Sequence, residues 1–108
     1  MLSVKPGHDV FQAIADPTRR SLLQLLVDQD LSIAAITKCF PVSRTAVNKH
    51  LHVLSDAGLV SSQRVGRETR YKLHPEPLSE LGQWLSFFGQ YWDDHLSSLI
   101  KYVESEDE

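Results

Sequence analysis

Apolar residues recur at helical spacing through the first half of the chain, broken at regular intervals by residues that start or stop helices. Val10, Phe11, Ile14 and Ala15 follow Asp9, a side chain that can cap a short first helix. Asp16-Pro17 restarts the chain, because Asp is a favoured cap and Pro is tolerated at the first helical position. Leu22, Leu23, Leu25, Leu26 and Val27 form the apolar side of the second helix, which Asp28 and Asp30 interrupt. Ser32 can cap a third, short helix carrying Ile33, Ile36 and Phe40. Pro41-Val42 makes a turn, Ser43 caps a fourth helix reaching Asp56, and Gly58 ends it.

The period then changes. Val60, Tyr71 and Leu73 alternate at period two on either side of Gly66-Arg67, the sign of a β-hairpin with a tight turn. Pro75 and Pro77 close that segment. From Leu78 helical spacing returns at Leu81, Leu85, Phe88, Trp92, Leu96, Leu99 and Val103, which predicts one long amphipathic helix despite Gly82 and Gly89. The fold class is mainly α with a small β component (α+β). Four helices, a β-hairpin wing and a long C-terminal helix make a winged helix-turn-helix, occupying residues 8–104 between a flexible tail, 1–7, and an acidic tail, 105–108.

The fourth helix separates two faces. With about 100° per residue and Arg44 at zero, Asn48, His52, Thr45 and Lys49 fall between about 40° and 140°. Ala46, His50, Leu54, Val47 and Leu51 fall between about 200° and 340°. The first set suits a DNA major groove. Arg can bond guanine O6 and N7 together, Asn does the same with adenine N6 and N7, and Lys and Thr suit phosphates or base edges. Ser43, at the helix start, can meet a phosphate beside the helix N-terminal amides. An ordinary solvated face would mix in more Glu. His50 falls on the buried side and reads as structural or as a neighbour of a phosphate. On the hairpin, Arg64, Arg67 and Arg70 cluster at the tip and along one edge, where they can lie across phosphates or enter a narrow minor groove. Such arginines also discourage edge-to-edge aggregation.

Charge sharpens this picture. The 108 residues carry a formal net charge of −3, which at face value argues against a nucleic-acid partner. Residues 38–74, however, hold seven basic groups (Lys38, Arg44, Lys49, Arg64, Arg67, Arg70, Lys72) against Asp56 and Glu68, a net of +5. Residues 75–108 hold Lys101 against eight acids, a net of −7, so a basic middle sits beside an acidic end. No stretch approaches the ~20 apolar residues of a membrane span. The start of the chain lacks a signal-peptide h-region, and the single cysteine, Cys39, fits a reducing cytoplasm.

Three segments carry a family resemblance. Phe11–Arg20 (FQAIADPTRR), Val42–Leu51 (VSRTAVNKHL) and Ala57–Val60, followed by the Arg64–Tyr71 hairpin, resemble the ArsR/SmtB family of bacterial repressors along nearly the whole chain. The resemblance implies a homodimer that binds a double-stranded DNA operator, with Arg19 and Arg20 structural or close to the DNA backbone. It also implies, for metal-sensing members, a Cys-x-Cys pair on the third helix, where this chain has only Cys39. The other metal pattern, Asp-x-His followed by His-x-x-Glu, is half present: Asp93 and His95 match, and Glu106 stands where the second His would fall. The expectation is therefore a branch with no metal and no cofactor. Any inducer, whether small molecule or protein, is left unassigned.

The last helix is more apolar than one winged domain needs. Trp84, Phe87 and Tyr91 form a second stripe beside the main one, and seven aromatic residues lie between positions 71 and 102. The expected dimer interface comprises Trp84, Phe88, Tyr91, Trp92, Leu96 and Leu99. A two-fold dimer would present two reading helices to a pseudopalindromic operator. Three rival readings stand beside this one. An enzyme lacks any Ser/His/Asp order, P-loop, HExxH or glycine fingerprint, so no catalytic residue is expected. A protein-interaction module would want an apolar or mixed-charge fourth-helix face, which this sequence lacks, and a metal-responsive repressor would need an unusual site.

Overall fold

The computed structural model describes residues 9–106. The expected tail 1–7 lies outside the described residues, as do positions 107 and 108 of the acidic end. In chain order the elements are α1 (Val10–Ala13), α2 (Pro17–Leu25), β1 (Leu31–Ser32), α3 (Ile33–Lys38), α4 (Arg44–Asp56), β2 (Val60–Val65), β3 (Glu68–Leu73), a single 3₁₀ turn (Glu76–Leu78), α5 (Ser79–Phe87) and α6 (Gly89–Glu106). The fold is a winged helix-turn-helix.

The helix starts fall where short polar side chains meet unpaired amides. Asp9 accepts from the Gln12 amide at 2.7 Å while the Gln12 side chain accepts from the Asp9 amide at 3.1 Å, a complete capping box. Asp16 accepts from the Arg19 amide, Ser32 from Ala35 and Ser43 from Ala46, each at 3.1 Å. Helix α4 ends in a Schellman motif: the Gly58 amide donates to Ser55 O (3.0 Å) and the Leu59 amide to Leu54 O (2.9 Å). Gly58 takes φ +77°, and Leu54 and Leu59, the apolar pair of that motif, are fully buried.

The core gathers one face from each element. Val10 and Ala13 of α1, Leu22, Leu23 and Leu26 around α2, Ile33 and Ile36 of α3 and Val47, Leu51 and Leu54 of α4 meet Leu59 and Val60 at the base of the wing. Tyr71 and Leu73 of β3 pack against this cluster half-buried. Val27, expected on the apolar side of the second helix, is 52 % exposed, because Asp28 turns the chain with φ +61° just after it. The sheet has three antiparallel strands in the order β1-β3-β2. The two-residue β1 adds an edge that hydrophobic alternation did not predict.

The long last helix is divided. Phe88 adopts φ −98°, ψ 10°, and its amide donates to Leu85 O, three residues back, at 3.0 Å. Gly89 then opens α6, and the Trp92 amide returns to Phe88 O at 2.8 Å. Side-chain period carries straight through this point, but the backbone does not; a glycine costs about 1 kcal/mol inside a helix, so the turn is cheap there. From Gln90 onward every described side chain of α6 is exposed. The helix projects from the core and stretches the molecule to 61 × 43 × 23 Å, with a radius of gyration of 18.5 Å against ~13 Å for a compact chain of this length.

Candidate nucleic-acid interface

Helices α3 and α4, joined by the turn through Pro41, form the helix-turn-helix, and α1, α2 and α3 all pack against α4. Packing fixes the rotation of α4: Val47, Leu51 and Leu54 are buried and Ala46 and His50 half-buried. Ser43, Arg44, Thr45, Asn48, Lys49 and His52 are consequently all exposed, as the helical spacing predicts. Thr45, Asn48, Lys49 and His52 run along one edge and, with Val53, line a shallow depression of about 440 Å³. Val53 was missed at the sequence level, although it falls at about 180°, the boundary between the two faces. Among the described residues, the side chains of Arg44, Thr45, Asn48 and Lys49 make no hydrogen bond or ion pair, so their donors and acceptors are available to a ligand. His52 Nε2 lies 3.8 Å from Asp56 Oδ2, one turn along.

The wing is a tight hairpin. Val65 pairs with Glu68 across Gly66-Arg67, and Gly66 alone of the two turn residues has positive φ (+64°), as a two-residue hairpin with glycine first requires. Register separates the arginines. Arg64 pairs with Thr69 and shares a face with Ser62, Tyr71 and Leu73, whereas Arg70 pairs with Gln63 on the opposite face. The three do not lie along one edge, because adjacent positions on a strand point to opposite sides. Arg70 also donates to Asp30 O (3.3 Å) and lies 3.7 Å from Glu68, bracing β3 against the segment before β1. Arg64 reaches back to Gly66 O at 3.4 Å, and Arg67 makes no hydrogen bond or ion pair among the described residues.

This geometry agrees with sequence and structural relatives. A family profile described as a helix-turn-helix domain matches residues 14–63, which takes in the helix-turn-helix and the start of the wing. The transcriptional repressor SdpR of Bacillus subtilis is 34% identical over 89 residues, covering 82% of this chain and 99% of SdpR. The HTH-type transcriptional regulator Rv2034 of Mycobacterium tuberculosis is 34% identical over 106 residues, 98% of this chain and 96% of the relative. A crystal structure of an ArsR family transcriptional regulator superposes with a TM-score of 0.69 at 31% identity, covering 77% of this chain and 86% of that one. The chain belongs to the ArsR/SmtB family. It is a DNA-binding transcriptional regulator.

In this ArsR/SmtB protein the FQAIADPTRR segment, residues 11–20, has a mechanical role. Arg19 Nε donates to Ala13 O (2.6 Å) and Nη2 to Gln12 O (3.0 Å), capping α1, while Arg20 Nη1 donates to Ile14 O (2.7 Å). Arg19 and Arg20 are thus bound to the protein's own backbone. Partial burial pushes the Asp16 carboxyl up, but the Arg19 amide, the neighbouring His50 and Arg19 side chains, and the Thr18 amide together hold it below the ordinary range.

The positions tied to metal sensing are dispersed. Cys39 is exposed at the end of α3, its thiol donating to Ala35 O (3.4 Å). On α6 the His95 ring stacks on Tyr91 (3.9 Å, 27°) with Nδ1 3.0 Å from Tyr91 O. Among the described residues no three His, Cys, Asp or Glu side chains converge as a metal site. No described helix is long and apolar enough to cross a membrane.

Of the residues expected at a dimer interface, Trp84, Tyr91, Trp92 and Leu99 are exposed and Phe88 is half-buried; the Leu96 side chain lies outside the described ones. Trp84 is shared between roles, meeting Phe11 of α1 edge-on at 5.8 Å and Phe88 at 5.2 Å. Among the described residues Phe87, at 83 % exposure, is the most open large apolar side chain.

Proposed function

We propose that this regulator is a homodimeric repressor that reads a pseudopalindromic operator, inserting α4 into the major groove of each half-site. The observation that carries the reading is the edge of α4. Arg44, Thr45, Asn48 and Lys49 stand exposed and unengaged on a helix whose other side is locked into the core. Arg and Asn are the residues whose forked groups match guanine and adenine edges, so these two supply the base contacts. Ser43, Thr45, Lys49 and His52 supply phosphate or secondary base contacts. Arg64 and Arg67 at the wing tip take the backbone or minor groove, while Arg70 serves chiefly to hold the wing in place.

Dimerisation follows from the apolar side of α6. Trp92, Leu99, Ile100 and Val103 are each 47–57 % exposed, and a monomer leaving such a stripe in water forgoes about 25 cal/mol for each Å² it could bury. Two copies packed through α5 and α6 would set the two α4 helices about one DNA turn apart, ~34–36 Å. The acidic end of α6 keeps the dimerisation arm away from the polyanion and limits non-specific binding. A cytoplasmic, metal-independent mode of action is the simplest one for a chain with half of one metal motif and a single thiol.

The test is selection of 30-bp duplexes from a random library by the full chain, with sedimentation of the resulting complex. An inverted repeat bound by two chains is expected. A single asymmetric site bound by one chain would reject the dimeric reading, and failure to enrich any sequence would reject sequence-specific binding.

A further inference from the structure

The buried side of the reading helix is apolar with one exception. Val47, Leu51 and Leu54 give α4 adhesion, but apolar packing has no preferred direction about the helix axis. His50 does. Its side chain is 22 % exposed, and its Nδ1 lies 3.4 Å from Arg19 Nη1 and 4.0 Å from Asp16 Oδ2. A guanidinium can only donate, so Nδ1 accepts in this contact. Arg19 is itself immobilised: Nε and Nη2 are spent on Ala13 O and Gln12 O, and its amide is held by Asp16. One side chain therefore joins the end of α1, the start of α2 and the back of α4.

We propose that His50 is a positioning residue for DNA reading, setting the roll of α4 against the Asp16–Arg19 bracket so that Asn48 meets base edges squarely. This rests on the assignment of α4 as the base-reading helix. His50 and Asn48 are two residues apart and so lie about 200° apart around the axis, one on the bracket and the other on the groove. Side-chain tips stand ~5–6 Å from a helix axis, so a roll of about 10° moves them ~1 Å. Good N–H···O bonds occupy a window of only about 0.5 Å, so that roll is enough to spoil a two-point contact to adenine. Phosphate contacts from the flexible arginines of the wing tolerate it.

The experiment measures affinity by fluorescence anisotropy for the duplex selected from a random library and for a shuffled duplex of the same composition. Full-length wild type, His50→Leu, His50→Ala, His50→Asn, Asn48→Ala and the His50→Leu/Asn48→Ala double variant are compared, each confirmed as folded by circular dichroism. Leu fills the space of the imidazole without an acceptor, and Ala serves if Leu prevents folding. Asn places its carbonyl oxygen where Nδ1 stood. The expected result is about tenfold loss on the selected duplex for His50→Leu, under twofold on the shuffled duplex, recovery with Asn, and little further loss when Asn48 is already Ala. Equal losses on both duplexes, additive losses in the double variant, or no recovery with Asn would overturn the positioning role. If Asn48→Ala itself loses nothing on the selected duplex, the base-reading assignment falls and this inference falls with it.

Discussion

Replacing Gly58 by Ala isolates the contribution of one backbone angle to the joint between reading helix and wing. An added Cβ at Gly58 meets only Pro77 Cγ at 3.8 Å, an ordinary contact, so packing contributes almost nothing to the change. The cost lies in φ +77°, where an L-residue loses about 1–2 kcal/mol. Part of that, ~0.5 kcal/mol, is offset because Ala restricts the unfolded chain. A net loss of about 1 kcal/mol remains. Unfolding entropy of ~2.1 cal/mol/K per residue gives ~0.23 kcal/mol/K for 108 residues, so Tm falls by about 4 °C. Gly82→Ala is the matched control: it lies inside α5 in open space with no positive φ, and gains about 1 kcal/mol of helix propensity. Thermal melts followed by circular dichroism at one protein concentration should therefore move in opposite directions. If Gly58→Ala leaves Tm unchanged, or if both variants shift the same way, the left-handed cap is not what closes α4.

Arg67→Ala should weaken selected and shuffled duplexes alike and reduce the slope of log affinity against log salt by about 0.9, as loss of one phosphate contact does; a loss confined to the selected duplex would place Arg67 on a base. Trp92→Asp, which puts a charge at the start of the exposed α6 stripe, should sediment as a monomer at micromolar concentration, and a dimer that persists would move the interface elsewhere. Asp16→Asn keeps a capping side chain but removes a carboxyl held below its ordinary range. A depressed folded pKa contributes stability above the unfolded value of about 3.9 and loses it as pH falls toward the folded value. The urea midpoints of wild type and Asp16→Asn should accordingly differ most near neutral pH and converge as pH falls through the folded value; a gap that persists in acid would assign the effect to something other than the charge.

What the sequence made legible was mostly local. Asp9, Asp16, Ser32 and Ser43 each cap the helix predicted for them, because a cap is decided within four residues. The two faces of α4 were legible for the same reason, since rotation of a helix follows from which residues the core accepts. Three features were not. Strand β1 is two residues long and exists through backbone bonds to Tyr71 and Arg70, forty residues away, which no alternation at Leu31-Ser32 announces. The opposite orientation of Arg64 and Arg70 depends on hairpin register, which a one-residue slip would reverse. The turn at Phe88 is hidden because the apolar stripe carries on across it; only Gly89 marks the place, and Gly82, which looks the same in sequence, stays helical. His50 lay on the predicted buried face, but its partners come from the start of α2, some thirty residues earlier, and appear only in three dimensions.

The central claim, that α4 reads bases while the wing holds the backbone, is tested most directly by Arg44→Ala and Asn48→Ala measured on the selected and shuffled duplexes. Both side chains are exposed and neither touches the core, so both variants should fold and melt like wild type. Each should lose about 1–3 kcal/mol on the selected duplex and relax preference at one base position per half-site, with shuffled DNA affected far less. Unchanged affinity and unchanged preference in both variants would contradict the account.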